Sequence, residues 1–175
     1  MHQPNDEWYT PLEIIRALGP FDLDPACGPL CDNATARRRY RSDGLARRWT
    51  GRVWLNPPFS NVAPWVDRMI AHRNGIMLVF CRSDAAWFQR AISAAAGVFL
   101  FRSRTEFQRP DGSRSKCPLG CCLIPFGARN RRAVLRAGFR GIWLPTVPAN
   151  FTKAARAERR RGKTPSHTKE RRNRD

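Results

Sequence analysis

Acidic side chains are scarce in this chain. Fourteen Asp and Glu stand against 32 Lys and Arg, giving a formal net charge of +18 and an isoelectric point near 11.4. A balance this basic points to a polyanionic partner, with nucleic acid ahead of an anionic membrane surface. No long amphipathic basic helix supports the membrane. Long apolar runs are missing too. None approaches about 18 residues, and no basic n-region leads into an apolar h-region, so neither a spanning helix nor a secretory signal is expected. The two-residue cysteine spacing of zinc knuckles is absent. The six cysteines are Cys27, Cys31, Cys81, Cys117, Cys121 and Cys122. Neighbouring Cys121 and Cys122 would point to opposite faces of a strand, so reduced thiols are expected rather than a metal site or disulfides. There is no internal repeat and no glycine-rich turn.

What remains is a chain of 175 residues, enough for one domain with a substantial core. Residues 1–150 read as that domain. From Lys153 to Asp175 there are ten Lys/Arg and three Asp/Glu, a net of +7, which leaves +11 for the residues before it. Residues 151–175 therefore read as a basic, disordered tail, either a phosphate-binding arm or a solubilising end.

Along the domain, Thr10-Pro11-Leu12-Glu13 has the form of a capping box, and apolar spacing predicts a helix over 11–18. Phe21 to Asp24 alternates as a short strand. Residues 33–50 are rich in arginine and irregular, with Asp43-Gly44 as a turn signal. Val53 to Leu55 reads as a strand, and residues 63–73 as a helix. Ile76 to Cys81 is an unbroken apolar run, expected of a strand covered on both faces. Asp84 would cap a helix reaching Ala96, and Val98 to Phe101 follows as a strand. A polar loop over 109–118 would join strand Glu106-Phe107 to strand Leu119 to Phe126. A helix near 130–137 and a strand from Ile142 to Leu144 complete the order. Alternating strands and helices predict an α/β fold, mostly parallel, with an antiparallel pair at one edge. Ligands in such sheets sit beyond the carboxyl ends of strands, where Asp24 and Asn56 fall.

The most informative segment is Asn56-Pro57-Pro58-Phe59. Each proline fixes its own φ and biases the residue before it towards extended geometry, so this backbone is stiff. A flat ring bearing an amino group could donate to the Asn56 side-chain oxygen and the Pro57 carbonyl while Phe59 stacks on it. A nucleobase taken out of a duplex is such a ring. The plainer reading is a strand ending in a proline turn, with Phe59 in the core. At the other strand end, Asp24 could accept from a ligand ammonium group or cap its own turn. Asp43 could accept from an adenine amine or simply start the Asp-Gly turn.

Four blocks appear in order: Trp8-Tyr9-Thr10-Pro11, Leu23-Asp24-Pro25-Ala26-Cys27, Asp43-Gly44-Leu45 and Asn56-Pro57-Pro58-Phe59. Together they resemble the phage-type DNA N6-adenine methyltransferases (the phage Dam family), over roughly residues 5–145. The resemblance implies a Rossmann-like fold using S-adenosylmethionine, in the cytoplasm of a prokaryotic or phage-infected cell. It implies that Asn56, Pro57, Pro58 and Phe59 hold a flipped adenine of double-stranded DNA. Asp24 would meet the methionine end of the cofactor, with Thr10 and Pro11 nearby; Pro25, Ala26 and Gly28 of the same turn would also bind the cofactor, and Asp43 would be a candidate for its adenine end. The first turn holds only Gly28 where many amino-methyltransferases have a glycine-rich loop. Asn56 follows Asp24 by 32 positions with no evident second strand between them, so the ribose-binding carboxylate has no assignment beyond a weak candidate in Asp32. With no large insertion for target recognition, DNA contact falls to Arg102, Arg104, Arg109, Arg114 and Lys116, which could equally form a solvated basic hairpin. A cytosine-N4 or RNA methyltransferase, or a non-catalytic DNA-binding protein, are the alternatives.

Overall fold

The computed structural model describes residues 8–28, 34–109 and 112–146. Cys31, Asp32 and the tail from residue 151 onward lie outside them. Helix α1 spans Leu12–Leu18, followed by strands β1 (Leu23–Asp24), β2 (Arg38–Arg39) and β3 (Val53–Leu55). Helix α2 is Ala63–His72, β4 Gly75–Phe80, α3 Ala86–Ala94 and β5 Val98–Phe101. Then come β6 (Glu106–Gln108), β7 (Arg114–Lys116), β8 (Cys121–Phe126), α4 (Ala128–Arg136) and β9 (Gly141–Leu144).

Among the described residues, seven strands form one sheet in the order β2-β1-β3-β4-β8-β5-β9. The pairings from β2 to β4 are parallel, and those of β8 with β4 and β5 and of β9 with β5 are antiparallel. Five strands thus share one direction, and β8 and β9 run against them. Side chains alternate across the sheet. Met77 and Val79 join Trp65, Val66 and Met69 of α2 and Phe88 and Ala91 of α3 on one face. Ile76 and Leu78 join Ile14, Ile15 and Leu18 of α1 and Val134 of α4 on the other. Helices on both faces account for the unbroken apolar run of β4, as the sequence pattern predicts.

The sequence reading needs correction at several points. Among the described residues, no side chain caps α1. Pro11 occupies the cap position, and the buried Thr10 hydroxyl instead accepts from Trp54 Nε1 at 3.3 Å. Asp84 does not cap α3, which begins after Ala85; its carboxylate takes a two-pronged contact from Arg82 at 3.4 Å. A second strand does lie between Asp24 and Asn56, the two-residue β2, paired to β1 as Leu23↔Arg38 and Asp24↔Arg39. The antiparallel pair is not an edge of the main sheet. Strands β6 and β7 form a separate ribbon, and β8, starting at Cys121 rather than Leu119, lies inside the sheet.

At the amino-terminal edge of the sheet, Arg52 is buried, with 3% of its surface exposed. Its Nε donates to Asn130 Oδ1 at 2.7 Å, Nη1 to the Pro20 carbonyl and Nη2 to the Leu18 carbonyl, both at 3.0 Å. Its guanidinium lies 4.2 Å above the Phe21 ring. Asn130 in turn donates to the Phe126 carbonyl at 2.7 Å and to Asn74 Oδ1 at 3.1 Å. One side chain therefore ties the end of α1 and the lead into β3 to α4. Burial first, then nearby Arg129, lowers the Arg52 pKa to about 10, with Asp22 opposing.

Candidate active site

The carboxyl ends of β1 and β3 open onto one cavity of about 290 Å³. It is lined by Pro25, Ala26, Cys27 and Gly28 from the turn after β1, and by residues 40–44 and Pro58 and Trp65 from across the cleft. The backbones of these turns touch. A Cβ at Gly44 would drive into the Pro25 carbonyl oxygen, so only glycine fits there. Asp43 before it sits in the left-handed region at φ 57°, a conformation Asp tolerates better than most residues. Trp49 holds the turn from beneath. Its Nε1 donates to the Gly44 carbonyl at 2.7 Å, and its ring lies 6.3 Å from that of Trp65.

Asp24 lies under this cavity rather than in its wall. Its Oδ1 accepts from the Ala26 N–H at 3.0 Å and its Oδ2 from the Thr35 hydroxyl at 2.5 Å. The first contact is an Asx turn that fixes the 24–28 backbone. Burial raises the Asp24 pKa from 3.8 to about 6, and the two hydrogen bonds and Arg39 offset only part of that rise. Below pH 4 the group is protonated whether the chain is folded or not, and costs nothing. As pH climbs through 6 the unfolded chain gains by ionising first, so the fold loses about 3 kcal/mol across that window. Asp24→Asn should therefore be more stable than the parent at pH 7.5 and equal to it near pH 4. Urea midpoints at the two pH values check this.

Asn56 follows β3 and is oriented from an unexpected quarter. Its Nδ2 donates to the Trp8 carbonyl at 2.5 Å. A carbonyl can only accept, so this contact fixes which way the amide faces. Asn56 Oδ1 is left buried and, among the described residues, has no hydrogen-bond partner. An orphaned carbonyl oxygen of this kind costs about 1–3 kcal/mol. The Pro58 carbonyl is engaged by the Asn61 N–H at 3.3 Å, closing a single helical turn over Phe59–Asn61. Phe59 stacks on Phe80, with centroids 3.6 Å apart and planes 20° from parallel, and meets the edge of Phe107 at 6.4 Å.

The structure thus gathers Pro25, Ala26, Gly28, Asp43 and Pro58 at one cavity, with Asp24 below and Asn56 and Phe59 beside it. Thr10 and Pro11 are not among the lining residues. Arg102 and Arg104 are exposed on the loop before β6, and Arg114 and Lys116 on β7, where Lys116 Nζ reaches Glu106 Oε1 at 3.8 Å. Arg109 places its guanidinium 4.0 Å above the Trp8 ring. Sequence reasoning missed Tyr40, Arg41, Ser42 and Trp65 as lining residues and Trp8 as the partner of Asn56. The Trp8 contact is made by a backbone carbonyl, which no residue pattern marks.

Cys27, Cys81, Cys117, Cys121 and Cys122 are free thiols. Among the described residues, no group of three or more His, Cys, Asp or Glu could hold a metal ion. None of their helices is long and apolar enough to cross a membrane.

Comparison with known proteins bears on the site. The family model described as DNA N-6-adenine-methyltransferase (Dam) matches residues 1–123. A DNA N-6-adenine-methyltransferase of Escherichia phage T1 is 35% identical over 105 residues, covering 53% of this chain and 43% of that protein. A protein of the same name from Haemophilus phage HP1 is 27% identical over 117 residues, covering 58% of this chain and 66% of that one. The matched stretch is therefore less than two thirds of either relative. No solved structure matches. With the family match spanning both strand-end turns and the Asn56 loop, the chain belongs to the DNA N-6-adenine-methyltransferase (Dam) family.

Proposed function

We propose that this chain transfers a methyl group from S-adenosylmethionine to the exocyclic N6 of adenine in double-stranded DNA, on a base flipped out of the helix. The observation that carries this reading is Asn56 Oδ1, a buried acceptor with no partner among the described residues, whose direction is fixed by the Trp8 carbonyl. A group left so exposed in energy is complementary to a donor that arrives with the substrate.

The cavity suits the cofactor by its chemistry. Pro25, Pro58 and Trp65 offer apolar walls, and Ser42 and Asp43 offer polar groups at its outer turn. Bound S-adenosylmethionine supplies an electrophilic methyl group on a positively charged sulfur. The residues of the chain hold the amine. Asn56 Oδ1 accepts one N6 hydrogen and the Pro57 carbonyl the other, while Phe59, backed by Phe80, walls the ring. Positive charge grows on N6 as its lone pair is used, so both hydrogen bonds strengthen on the way to the transition state. No strong base is needed first, because the proton leaves after the nitrogen has become acidic. Four parallel strands with cofactor turns at their carboxyl ends suit a Rossmann-like frame.

Methyl-labelled cofactor, incubated with DNA and followed by analysis of modified bases, tests the reading. N6-methyladenine is the expected product. N4-methylcytosine, label in RNA only, or DNA binding without label would each replace it with one of the alternatives.

The cations around β6 and β7, with the basic tail, would hold the phosphates. Each phosphate contact removed should lower the slope of log affinity against log salt by about 0.9. Arg102→Gln, Arg104→Gln and Arg114→Gln together, and separately deletion of residues 153–175, should each flatten that slope and leave the chemistry intact. Fluorescence anisotropy at several salt concentrations measures it, and an unchanged slope removes that segment from the DNA interface.

A further inference from the structure

We propose that the β6–β7 ribbon, acting through Arg109 and the Trp8 ring, is the positioning element that sets the Asn56 amide. The segment carrying Trp8 is the ribbon's third member. Tyr9 N–H donates to the Gln108 carbonyl at 2.9 Å, and Gln108 N–H returns a bond to the Tyr9 carbonyl at 3.1 Å. The Trp8 ring is gripped from two directions by residues on either side of Gln108. Phe107 meets it edge-on at 5.7 Å and 76°, and the Arg109 guanidinium covers its face at 4.0 Å. Arg109 is itself held through its main chain, with its N–H donating to the Ser113 carbonyl at 2.8 Å. The carbonyl of this clamped residue is what Asn56 Nδ2 meets.

Phe107 makes the arrangement more than a fastening. It is fully buried, and it touches Trp8 on one side and Phe59 on the other. The amine-accepting amide and the aromatic wall are therefore registered against one residue of the ribbon. The Trp8 carbonyl shares its peptide plane with the Tyr9 N–H, so without the ring contacts only the bond to the Gln108 carbonyl would resist a tilt of that plane away from Asn56. The Asn56 amide could then rotate its NH₂ towards the amine, presenting a donor where an acceptor is required. This inference rests on the proposed role of Asn56, and it goes beyond it in giving the ribbon a part in turnover as well as in DNA contact.

The test uses the full chain with Trp8→Ala, Trp8→Phe and Arg109→Ala. Its first readout, hydrogen exchange of the Asn56 side-chain amide by ¹⁵N NMR, is independent of activity. Protection should be high in the parent, lost in both Ala variants and kept in Trp8→Phe. The second readout is turnover on duplex DNA. Trp8→Ala should lower kcat by about a hundredfold while KM for DNA and Kd for S-adenosylmethionine stay within about threefold, and Trp8→Phe should recover most of the loss. Unchanged amide protection in the Ala variants overturns the proposal, as does a kcat loss that Trp8→Phe fails to rescue. If Trp8→Ala does not fold, Arg109→Ala decides, since it leaves the ring in place. A parent that methylates no DNA refutes the proposed function instead, and the amide readout still decides the positioning claim.

Discussion

Asn56→Ala should abolish methyl incorporation, lowering kcat by about 10²–10³-fold, the usual cost of removing one preorganised group that meets developing charge. The fold should hardly notice. The substitution deletes the hydrogen bond to the Trp8 carbonyl, but it also deletes a buried oxygen that has no partner among the described residues. The two changes oppose each other, so stability should stay within about 1 kcal/mol of the parent. Cofactor affinity should also hold, because Asn56 does not line the cavity. A parallel loss of fold or cofactor binding would assign Asn56 a structural role. Asn56→Asp makes a sharper comparison. It keeps size and acceptor, yet turns an oxygen towards the Trp8 carbonyl where Nδ2 stands 2.5 Å away. Two acceptors repel, so this variant should remain far below the parent at neutral pH. Initial rates of label transfer, with melting curves recorded alongside, separate these outcomes.

Arg52→Met should destabilise the fold strongly, by about 3–5 kcal/mol, because it leaves buried acceptors unpaired. The loss is not of charge but of donors. The Leu18 carbonyl, the Pro20 carbonyl and Asn130 Oδ1 all depend on one planar fork. Lysine cannot reproduce three diverging bonds from one ammonium, so Arg52→Lys should rescue only part of the loss. In a domain of this size the Met variant should melt about 10 °C lower or more. Arg52 stands before β3 and Asn56 after it, so the damage falls on the opposite edge of the sheet from the candidate site. Below its melting transition the variant should still bind cofactor. Thermal unfolding with and without S-adenosylmethionine reads both properties.

Apolar patterning was legible where burial on the sheet dictated it, whereas the caps read at Thr10 and Asp84 did not form. The apolar run of β4 announces burial on both faces, and the blocks at Asp24, Asp43 and Asn56 announce the turns after strands. The silences of the sequence share a physical cause. Strand β2 is two arginines whose strand character comes from pairing with β1, and no alternation of polarity betrays it. Trp8 acts through a main-chain oxygen. The Thr10-Pro11-Leu12-Glu13 pattern reads as a capping box, yet the Thr10 hydroxyl has a better-placed donor in Trp54, from a strand 44 positions away. The ribbon β6–β7 stands apart from the main sheet because its partner is the segment at Tyr9, a pairing between distant parts of the chain.

Phe59 packs against both hydrophobic clusters, the one under α2 and α3 and the one under α1 and α4. The sheet's two interiors meet there, so a ring proposed to face the substrate is also a structural keystone. Its conformational entropy is surrendered when the chain folds, and almost none is left to lose on binding. Under the proposed function, this ring would enter the encounter already in its final place, and the rearrangement would fall to the flipped base.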